Sequence, residues 1–431
     1  MIPLKFLVRE IPQRQALVGR LVLACWAIQI FTSLLSLTNF LATICAWLVI
    51  VFAWPILGSS AKKQAIVLSG VGLLCLALAL MRGADPDIYS LFSSNLALLA
   101  MLSAVTFLAL ANVEQSDEIL PRGEKGFWST FASAHFLGAV INLSVVLVIG
   151  DRLQRAGKLS DEQTMLLIRF YCAAAFWSPF FIASGVALTY APGSQWLDIA
   201  LPGFLLVLPV LLLSRWQMRG PDLNQYQGFP LQRNSLFMPM TLALAVVVGH
   251  AYFDKVSMLT LISCLAPMAA ISFARRPRRT KLKSFVDERL GNLSSQYVVF
   301  LAAGLFSGGI SALLSTFAVS ELINTTEFSQ LHFAVASLCM LLIGVLGIHP
   351  VISIALASPI LLEMNAEAAQ MAFLFLSVWG TATACSPLSG IGLTMVGRYQ
   401  VPPKKIIRLQ LPFLLTMWLS AIAMNGWFFS N

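Results

Sequence analysis

The chain has 431 residues, of which 58% are hydrophobic and 11% are charged, and its formal net charge is +9. Too few polar residues are present to cover the core of a soluble protein of this size, so the composition excludes a soluble domain. It predicts an all-α polytopic membrane protein.

The N-terminal segment, residues 1–38, carries several basic residues before its first long apolar run. No small-residue cleavage site follows that run, so we expect an uncleaved first helix and not a signal peptide. A helix needs about 20 apolar residues to cross the hydrocarbon of a bilayer. In the first half of the chain this rule predicts spans at 17–38, 39–57, 64–82, 92–112, 164–192 and 196–214.

The second half repeats this order after a polar linker at 215–236, which we expect to be cytoplasmic. Two further apolar pieces, 127–150 and 329–363, are interrupted by polar residues and are predicted to be re-entrant hairpins. The sequence thus predicts about 11 transmembrane helices and two hairpins. The spans of the second half are 237–253, 257–274, 296–316, 368–395 and 408–428.

Residues 39–214 and 237–431 contain the same markers in the same order, which indicates an internal repeat like those of many secondary transporters. In each hairpin a histidine, which we expect to lie near the tip, precedes a serine by nine residues, and each of the runs 164–192 and 368–395 contains a Ser-Pro pair. The markers are His135 with Ser144, His349 with Ser358, Ser178 with Pro179, and Ser386 with Pro387.

The distribution of Lys and Arg predicts the orientation in the membrane, because these residues gather on cytoplasmic loops. If both hairpins return to the side that they enter from, the basic loops fall on the cytoplasmic side, with Arg82 and Lys255 as exceptions. The halves are then inverted. We expect an inner-membrane protein with a cytoplasmic N-terminus and an external C-terminus.

The basic stretch 275–283 is explained by the same rule, and contact with anionic lipids is the alternative. The charge pattern does not indicate a nucleic-acid partner. The seven cysteines lack metal-ligand spacing and are interpreted as packing residues, so no transition-metal site is expected.

Breaks in membrane helices indicate a binding site, because a half-helix N-terminus attracts anions and freed carbonyls can hold cations. The structural alternative is a proline kink whose lost hydrogen bond is replaced by a nearby Ser or Thr. The predicted substrate-binding residues are His135, Ser178, Pro179, His349, Pro350, Thr381, Thr383, Ser386, Pro387, Ser389 and Gly390. Possible ion-binding residues on the hairpin arms are Asn142, Ser144, Ser353 and Ser358, which could equally bond to neighbouring helices.

No Asp or Glu lies in the middle of any predicted span or hairpin. This absence disfavours a cationic substrate. It favours coupling to sodium held by carbonyl and hydroxyl oxygens, or to a proton carried by histidine. No cofactor is expected apart from sodium as a possible coupling ion. Arg169, near the start of the run 164–192, could pair with an anion or extend to the cytoplasmic interface.

Two motifs support a family resemblance: Gly347-Ile348-His349-Pro350 with Ser358-Pro359-Ile360-Leu361, and the run from Gly380 to Gly390. With this layout, the chain resembles the ion transporter superfamily, most closely the divalent anion/sodium symporters. The motifs are also similar to those of the large membrane subunits of tripartite carboxylate transporters. The Ser-Asn-Thr signatures of the symporters are absent from both hairpins.

The resemblance implies an elevator motion and a homodimer. A transport domain made of 127–192 and 329–395 would move against a scaffold formed by the remaining spans. The sequence therefore predicts a secondary active transporter, not an enzyme, for an anionic, carboxylate-bearing solute coupled to sodium or protons. The alternatives are a membrane-embedded transferase with His349 as general base, and the membrane subunit of a larger uptake system.

Overall fold

The computed structural model describes residues 4–110, 119–155, 157–231, 233–253, 255–274, 278–317 and 328–429, and these residues form helices joined by turns and loops. The predicted all-α polytopic fold is confirmed. Among these residues, seven helices are long and apolar enough to cross a membrane. They are Pro12–Leu34, Ser59–Met81, Ile88–Leu110, Trp196–Gln217, Arg278–Leu314, Ala368–Tyr399 and Pro403–Phe428.

Several predicted spans are divided into shorter helices. Up to residue 225 the helices are α1 (Leu4–Leu34), α2 (Phe40–Ala53), α3 (Ser59–Met81), α4 (Ile88–Ser93), α5 (Leu96–Thr106), α6 (Gly123–Ala132), α7 (Gly138–Ile141), α8 (Ser144–Leu153), α9 (Asp161–Cys172), α10 (Ile182–Tyr190), α11 (Trp196–Leu205), α12 (Val207–Gln217) and α13 (Pro221–Gln225). The later helices are α14 (Arg233–Tyr252), α15 (Met258–Phe273), α16 (Arg278–Ser284), α17 (Ser294–Leu314), α18 (Gln330–Val345), α19 (Pro350–Glu363), α20 (Ala368–Cys385), α21 (Gly390–Tyr399) and α22 (Pro403–Phe428).

The chain forms two compact units, and each takes segments from both predicted halves. The first contains residues 1–112 and 242–325. In it, α3 packs along α17 and α1 packs against α2. The break between α4 and α5 lies at Asn95, whose side-chain amide donates to the Phe300 carbonyl at 2.7 Å. This hydrogen bond ties the break to α17.

The second unit contains residues 113–241 and 326–431, and therefore both predicted hairpins and both predicted broken helices. Its central helix is α20, which contacts α10, α18 and α22 and is buried along nearly its whole length. A helix buried on all sides is largely apolar all round, which explains why α20 has few polar residues, namely Gln370, Ser377, Thr381 and Thr383. The spans 196–214 and 408–428, expected in the scaffold, also belong to this unit.

A fully buried arginine joins three helices of the second unit. Arg169 in α9 donates to the Gln410 side chain of α22 at 2.8 Å and to the Gln217 side chain of α12 at 2.6 Å. It also donates to the Leu409 carbonyl at 2.9 Å. Because neutral oxygens of the protein occupy these donors, they are not available to pair with a solute anion in this structure. Gln217 lies in the predicted cytoplasmic linker 215–236, and extension of Arg169 to the interface stays a prediction.

We predict that Arg169→Met lowers the free energy of unfolding by about 3 kcal/mol, because methionine fills the volume but leaves buried acceptors unpaired. Thermal unfolding in detergent measures this change. The matched control is Arg219→Met, since Arg219 is exposed and stacks on Trp216. Equal melting temperatures for the two variants would contradict the prediction.

Candidate functional site

The second hairpin consists of α18, a turn, and α19. Gly347 in the turn has φ +92°, a left-handed conformation that glycine adopts without strain. His349 caps α19, because its Nδ1 accepts a hydrogen bond from the Val351 amide at 3.3 Å, and Pro350 occupies the first helical turn. The imidazole also packs edge-on against the Trp379 ring, and the two ring centroids lie 5.4 Å apart. A turn therefore lies at this position, and His349 shapes it.

The second broken helix is interrupted between α20 and α21 by residues 386–389. The hydroxyl of Ser386 accepts from the Leu388 amide at 3.3 Å. The hydroxyl of Ser389 caps α21 by accepting from the Gly392 amide at 3.1 Å. It also lies 2.7 Å from the Thr383 carbonyl, to which it can donate. Serine side chains thus satisfy backbone groups that the break would leave unpaired.

The first broken helix is interrupted between α9 and α10 in the same way. The Ser178 hydroxyl accepts from the Phe180 amide at 3.2 Å and donates to the Ala139 carbonyl of the first hairpin at 2.5 Å. Ser386 correspondingly lies 3.5 Å from the Val345 carbonyl of the second hairpin. Each Ser-Pro serine therefore joins its own break to the last turn of the adjacent hairpin arm.

The turn of the first hairpin lies later in the chain than the sequence indicates. It falls at Asn142 and Leu143, between α7 and α8, and Asn142 has φ +57°. The Asn142 side-chain amide donates to the Phe180 carbonyl at 3.3 Å, so this turn contacts the first break. The expectation that His135 lies at this hairpin's tip is wrong, since it belongs to a π-helical segment, Ser133–Leu137, in the first arm.

His135 is fully buried, and both of its ring nitrogens have protein partners. Nδ1 lies 3.2 Å from the Phe170 carbonyl, and Nε2 accepts from the Trp177 indole at 3.1 Å. The ring therefore carries its proton on Nδ1. The Trp196 indole donates to the Trp177 carbonyl at 2.7 Å. In this arrangement His135 positions Trp177 at the first break, and solute contact by His135 stays a prediction.

The turns of both hairpins meet at the second break. A methyl group on Gly390 would lie 3.8 Å from the Leu143 side chain, and one on Gly347 would lie 2.3 Å from the Leu388 side chain. The first break joins this group through Asn142. The half-helices α8, α10, α19 and α21 all begin at these turns and breaks. Their first amides have no partner within the helix, so they can attract an anion.

The other predicted site residues lie at different distances along the chain from the turns and breaks. Thr381 is buried in α20, and Ser144, Pro179 and Pro387 lie at the turn and breaks themselves. The Ser353 hydroxyl donates to the Pro350 carbonyl at 2.9 Å within α19. Farther from the turn, Ser358 donates to the Tyr190 carbonyl at 2.6 Å. Ion binding by these two serines stays a prediction, and in this structure their hydroxyls stabilise the hairpin arm.

An ion pair that the sequence reasoning missed joins the far ends of α8 and α21. Arg398 donates to both carboxylate oxygens of Asp151, at 2.7 and 2.6 Å, and Tyr399 donates to the same carboxylate at 3.0 Å. The hydrogen bond from Arg398 holds the pKa of Asp151 below its usual range, and the Tyr399 hydroxyl lowers it further. The only sequence signal for this ion pair is that opposite charges lie at the ends of two apolar runs.

Comparison with known proteins supports the fold. No family model and no curated protein matches the sequence. Among solved structures, the Alcanivorax borkumensis YdaH transporter, described as having an unusual topology, is similar with a TM-score of 0.55 and 15% identity. The match covers 84% of this chain and 97% of that transporter chain. At this identity the likeness concerns the fold.

We predict that Gly347→Ala destabilises the protein by about 1–2 kcal/mol, because alanine is strained at positive φ and its methyl group would displace Leu388. Thermal unfolding tests this. Gly397→Ala is the control, since a methyl group there meets no atom within 4 Å. It should leave stability unchanged or raise it slightly, because alanine favours helix. A Gly347→Ala protein as stable as this control would contradict the prediction.

We also predict a pH dependence from Asp151. Its pKa is lower in the folded protein, so the ion pair adds stability that is fully present above the unfolded pKa of about 3.9 and is lost as pH falls through the folded value. Asp151→Asn should therefore melt below the wild type at about pH 6, and the difference should vanish in strong acid. A melting difference that stays the same from pH 6 into strong acid would show that the pKa of Asp151 is not lowered.

Proposed function

We propose that this chain is a secondary active transporter for an anionic, carboxylate-bearing solute, coupled to sodium. The observation that carries the proposal is the repeated joint between a hairpin and a broken helix. Ser178 and Ser386 make the same two kinds of hydrogen bond in the two halves of the chain. Repeats built around discontinuous helices are the common design of secondary transporters, with the solute bound where the breaks meet.

The chemistry of the breaks favours an anion. Several half-helices begin there, and the positive ends of their dipoles attract negative charge. The nearest acidic side chain on α8, Asp151, lies at the far end of that helix and is already paired with Arg398. A carboxylate solute would therefore meet backbone amides at the described turns and breaks, whose own residues include no Asp or Glu.

Sodium is the proposed coupling ion because it prefers oxygen ligands, which the breaks supply. Carbonyl oxygens such as those of Phe180 and Thr383 accept one hydrogen bond each here and keep a second lone pair. Coupling to protons is the less favoured alternative. The protein would lie in the inner membrane as a homodimer with its N-terminus in the cytoplasm, and an elevator motion would carry the site across.

The likeness to a solved transporter supports transport as the general activity. Reconstitution tests the proposal directly. Purified protein should be screened for a thermal shift with a set of organic anions, with and without sodium, since a ligand of the folded state raises stability. A stabilising anion should then accumulate in proteoliposomes only under an inward sodium gradient. Accumulation that needs an added binding protein would instead identify the chain as one subunit of an uptake system.

We predict that Ser386→Ala reduces uptake about tenfold, the effect of losing about 1.4 kcal/mol, which is the size of one hydrogen bond. His349→Ala should reduce uptake as well. His349→Asn separates two explanations, because asparagine retains the helix cap without the imidazole. His250→Ala is the control, since His250 lies in α14 and should leave uptake unchanged.

Normal uptake by His349→Asn together with loss in His349→Ala would show that the histidine serves only as a cap. Normal uptake by Ser386→Ala would remove the second break from the site. Thermal unfolding of each variant identifies those that merely fold less well. The proposed function itself is rejected if the wild-type protein accumulates none of the anions that stabilise it.

A further inference from the structure

A cavity of about 580 Å³ lies where three helices of the second unit meet. Its wall includes Glu162 near the start of α9, Trp216 near the end of α12, and Arg408 near the start of α22. Two of these helices belong to long apolar helices that can cross a membrane, Trp196–Gln217 and Pro403–Phe428. The cavity therefore lies at the ends of two predicted spans, where a bilayer places its lipid head groups.

Charges of both signs line this cavity without pairing with one another. Within the described part of the chain, two arginines and two carboxylates of the cavity wall form no salt bridge. The four residues are Arg219, Arg408, Glu162 and Asp222. The third carboxylate of the wall, Asp161, is already paired with Lys405. The cavity thus keeps two positive and two negative side chains available for a ligand.

A ligand that carries both charges suits these four side chains best. A ligand with only negative charge would meet the two carboxylates, and one with only positive charge would meet the two guanidinium groups, so like charges would repel either one. Guanidinium groups bind phosphate oxygens well. A primary ammonium has three N–H donors for carboxylates. The cavity therefore fits a phosphate and an ammonium that are joined in one molecule.

Exposed leucines extend from the cavity along both spans, and α12 and α22 contact each other. Leu212, which is 70% exposed, lies one turn before Trp216, and Leu411, which is 52% exposed, lies three residues after Arg408. Residues three or four apart share one face of a helix, so these apolar faces continue from the cavity wall. The complete stripes are Leu208, Leu212 and Trp216 on α12, and Leu411, Leu415 and Leu419 on α22. Acyl chains would cover these stripes, which indicates the bilayer as the source of the ligand.

The inner wall of the cavity includes two residues that hold Arg169. Gln217 and Leu409 line the cavity, and their oxygens accept from the Arg169 guanidinium at 2.6 and 2.9 Å. All hydrogen-bond acceptors that the structure shows for Arg169 are neutral, so its buried charge has no carboxylate beside it. The field of this charge favours a phosphate in the adjacent cavity, although the phosphate would not touch Arg169 itself.

We propose that this cavity holds the head group of a phospholipid that carries a phosphate and a primary ammonium, as phosphatidylethanolamine does. The phosphate is bound by Arg219 and Arg408, and the ammonium donates to Glu162 and Asp222. The acyl chains lie along the leucine stripes of α12 and α22. This lipid site is separate from the turns and breaks of the candidate solute site and does not depend on the proposed transport function.

Native mass spectrometry measures the binding directly. The full-length protein is purified in detergent and washed until no lipid adduct remains. Phosphatidylethanolamine, phosphatidylcholine or phosphatidylglycerol with identical acyl chains is then titrated, and soluble phosphoethanolamine is a fourth ligand. Phosphatidylethanolamine should bind about tenfold more tightly than the other two lipids, because it alone combines the phosphate with an ammonium that donates hydrogen bonds.

Two sets of substitutions test the assignment of the charges. Arg408→Gln should weaken binding of phosphatidylethanolamine about tenfold, the effect of losing one charge-assisted hydrogen bond. Glu162→Gln combined with Asp222→Asn should invert the preference, because only the arginines keep their charge and phosphatidylglycerol then binds more tightly than phosphatidylethanolamine. A merely structural role of the carboxylates would not invert it. The replaced side chains are partly or fully exposed, and thermal unfolding without lipid checks that each variant is folded.

The matched control is Lys63→Gln, which removes an exposed positive charge near the start of α3 in the first unit. This variant should bind phosphatidylethanolamine as the wild type does. The lipid site is rejected if phosphatidylethanolamine binds no better than the other lipids, if Lys63→Gln weakens binding as much as Arg408→Gln, or if the carboxylate variant keeps the original preference. Equally tight binding of phosphoethanolamine would identify a soluble ligand and also overturn the proposal. Since no measurement involves transport, a failed lipid site and a failed transport function are distinguishable.

Discussion

The second unit depends on pairing the backbone groups that its helix breaks expose. In hydrocarbon each unpaired amide or carbonyl costs several kcal/mol, so a broken helix needs partners close by. Ser178 and Ser386 supply them, since each hydroxyl accepts from the amide two residues later and reaches a hairpin carbonyl. A hairpin and its neighbouring broken helix therefore form one structural element, because neither has its backbone satisfied without the other.

The two copies of this element are completed differently. In the first, the turn contacts the break through the Asn142 side chain. His135 contacts the same break because it accepts a hydrogen bond from the Trp177 indole. In the second, the histidine lies in the turn itself, where His349 caps α19 and packs on Trp379. Each histidine precedes a serine by nine residues in the sequence, yet His135 and His349 do not occupy equivalent positions in the structure. The serines are the residues that the repeat preserves in geometry.

The sequence predicts the features that leave a local signal. The Ser-Pro pairs mark both breaks, and the Gly347–Pro350 motif marks the second turn, because glycine and proline interrupt helices wherever they occur. The first turn has a weaker signal, since Asn142 itself adopts the positive φ and the nearest glycine, Gly138, lies four residues earlier. The hydrogen bond between Arg169 and Gln410 could not be predicted either, because the two residues lie 241 positions apart and no local pattern reports such a contact.

The distribution of hydrogen bonds in the breaks also bears on which ion the site suits best. Several carbonyls already accept from serine hydroxyls: Ala139 from Ser178, Ser178 from Ser184, and Thr383 from Ser389. A cation must then use the second lone pairs of the Ala139 and Thr383 carbonyls, because the Ser178 carbonyl also accepts from the Phe181 amide at 3.2 Å. The first amides of the half-helices are less fully occupied, because a cap such as Ser389 satisfies only one of them. The amides are therefore the better prepared half of the site, and an anion would bind to a preformed partner while sodium would need the carbonyls to adjust.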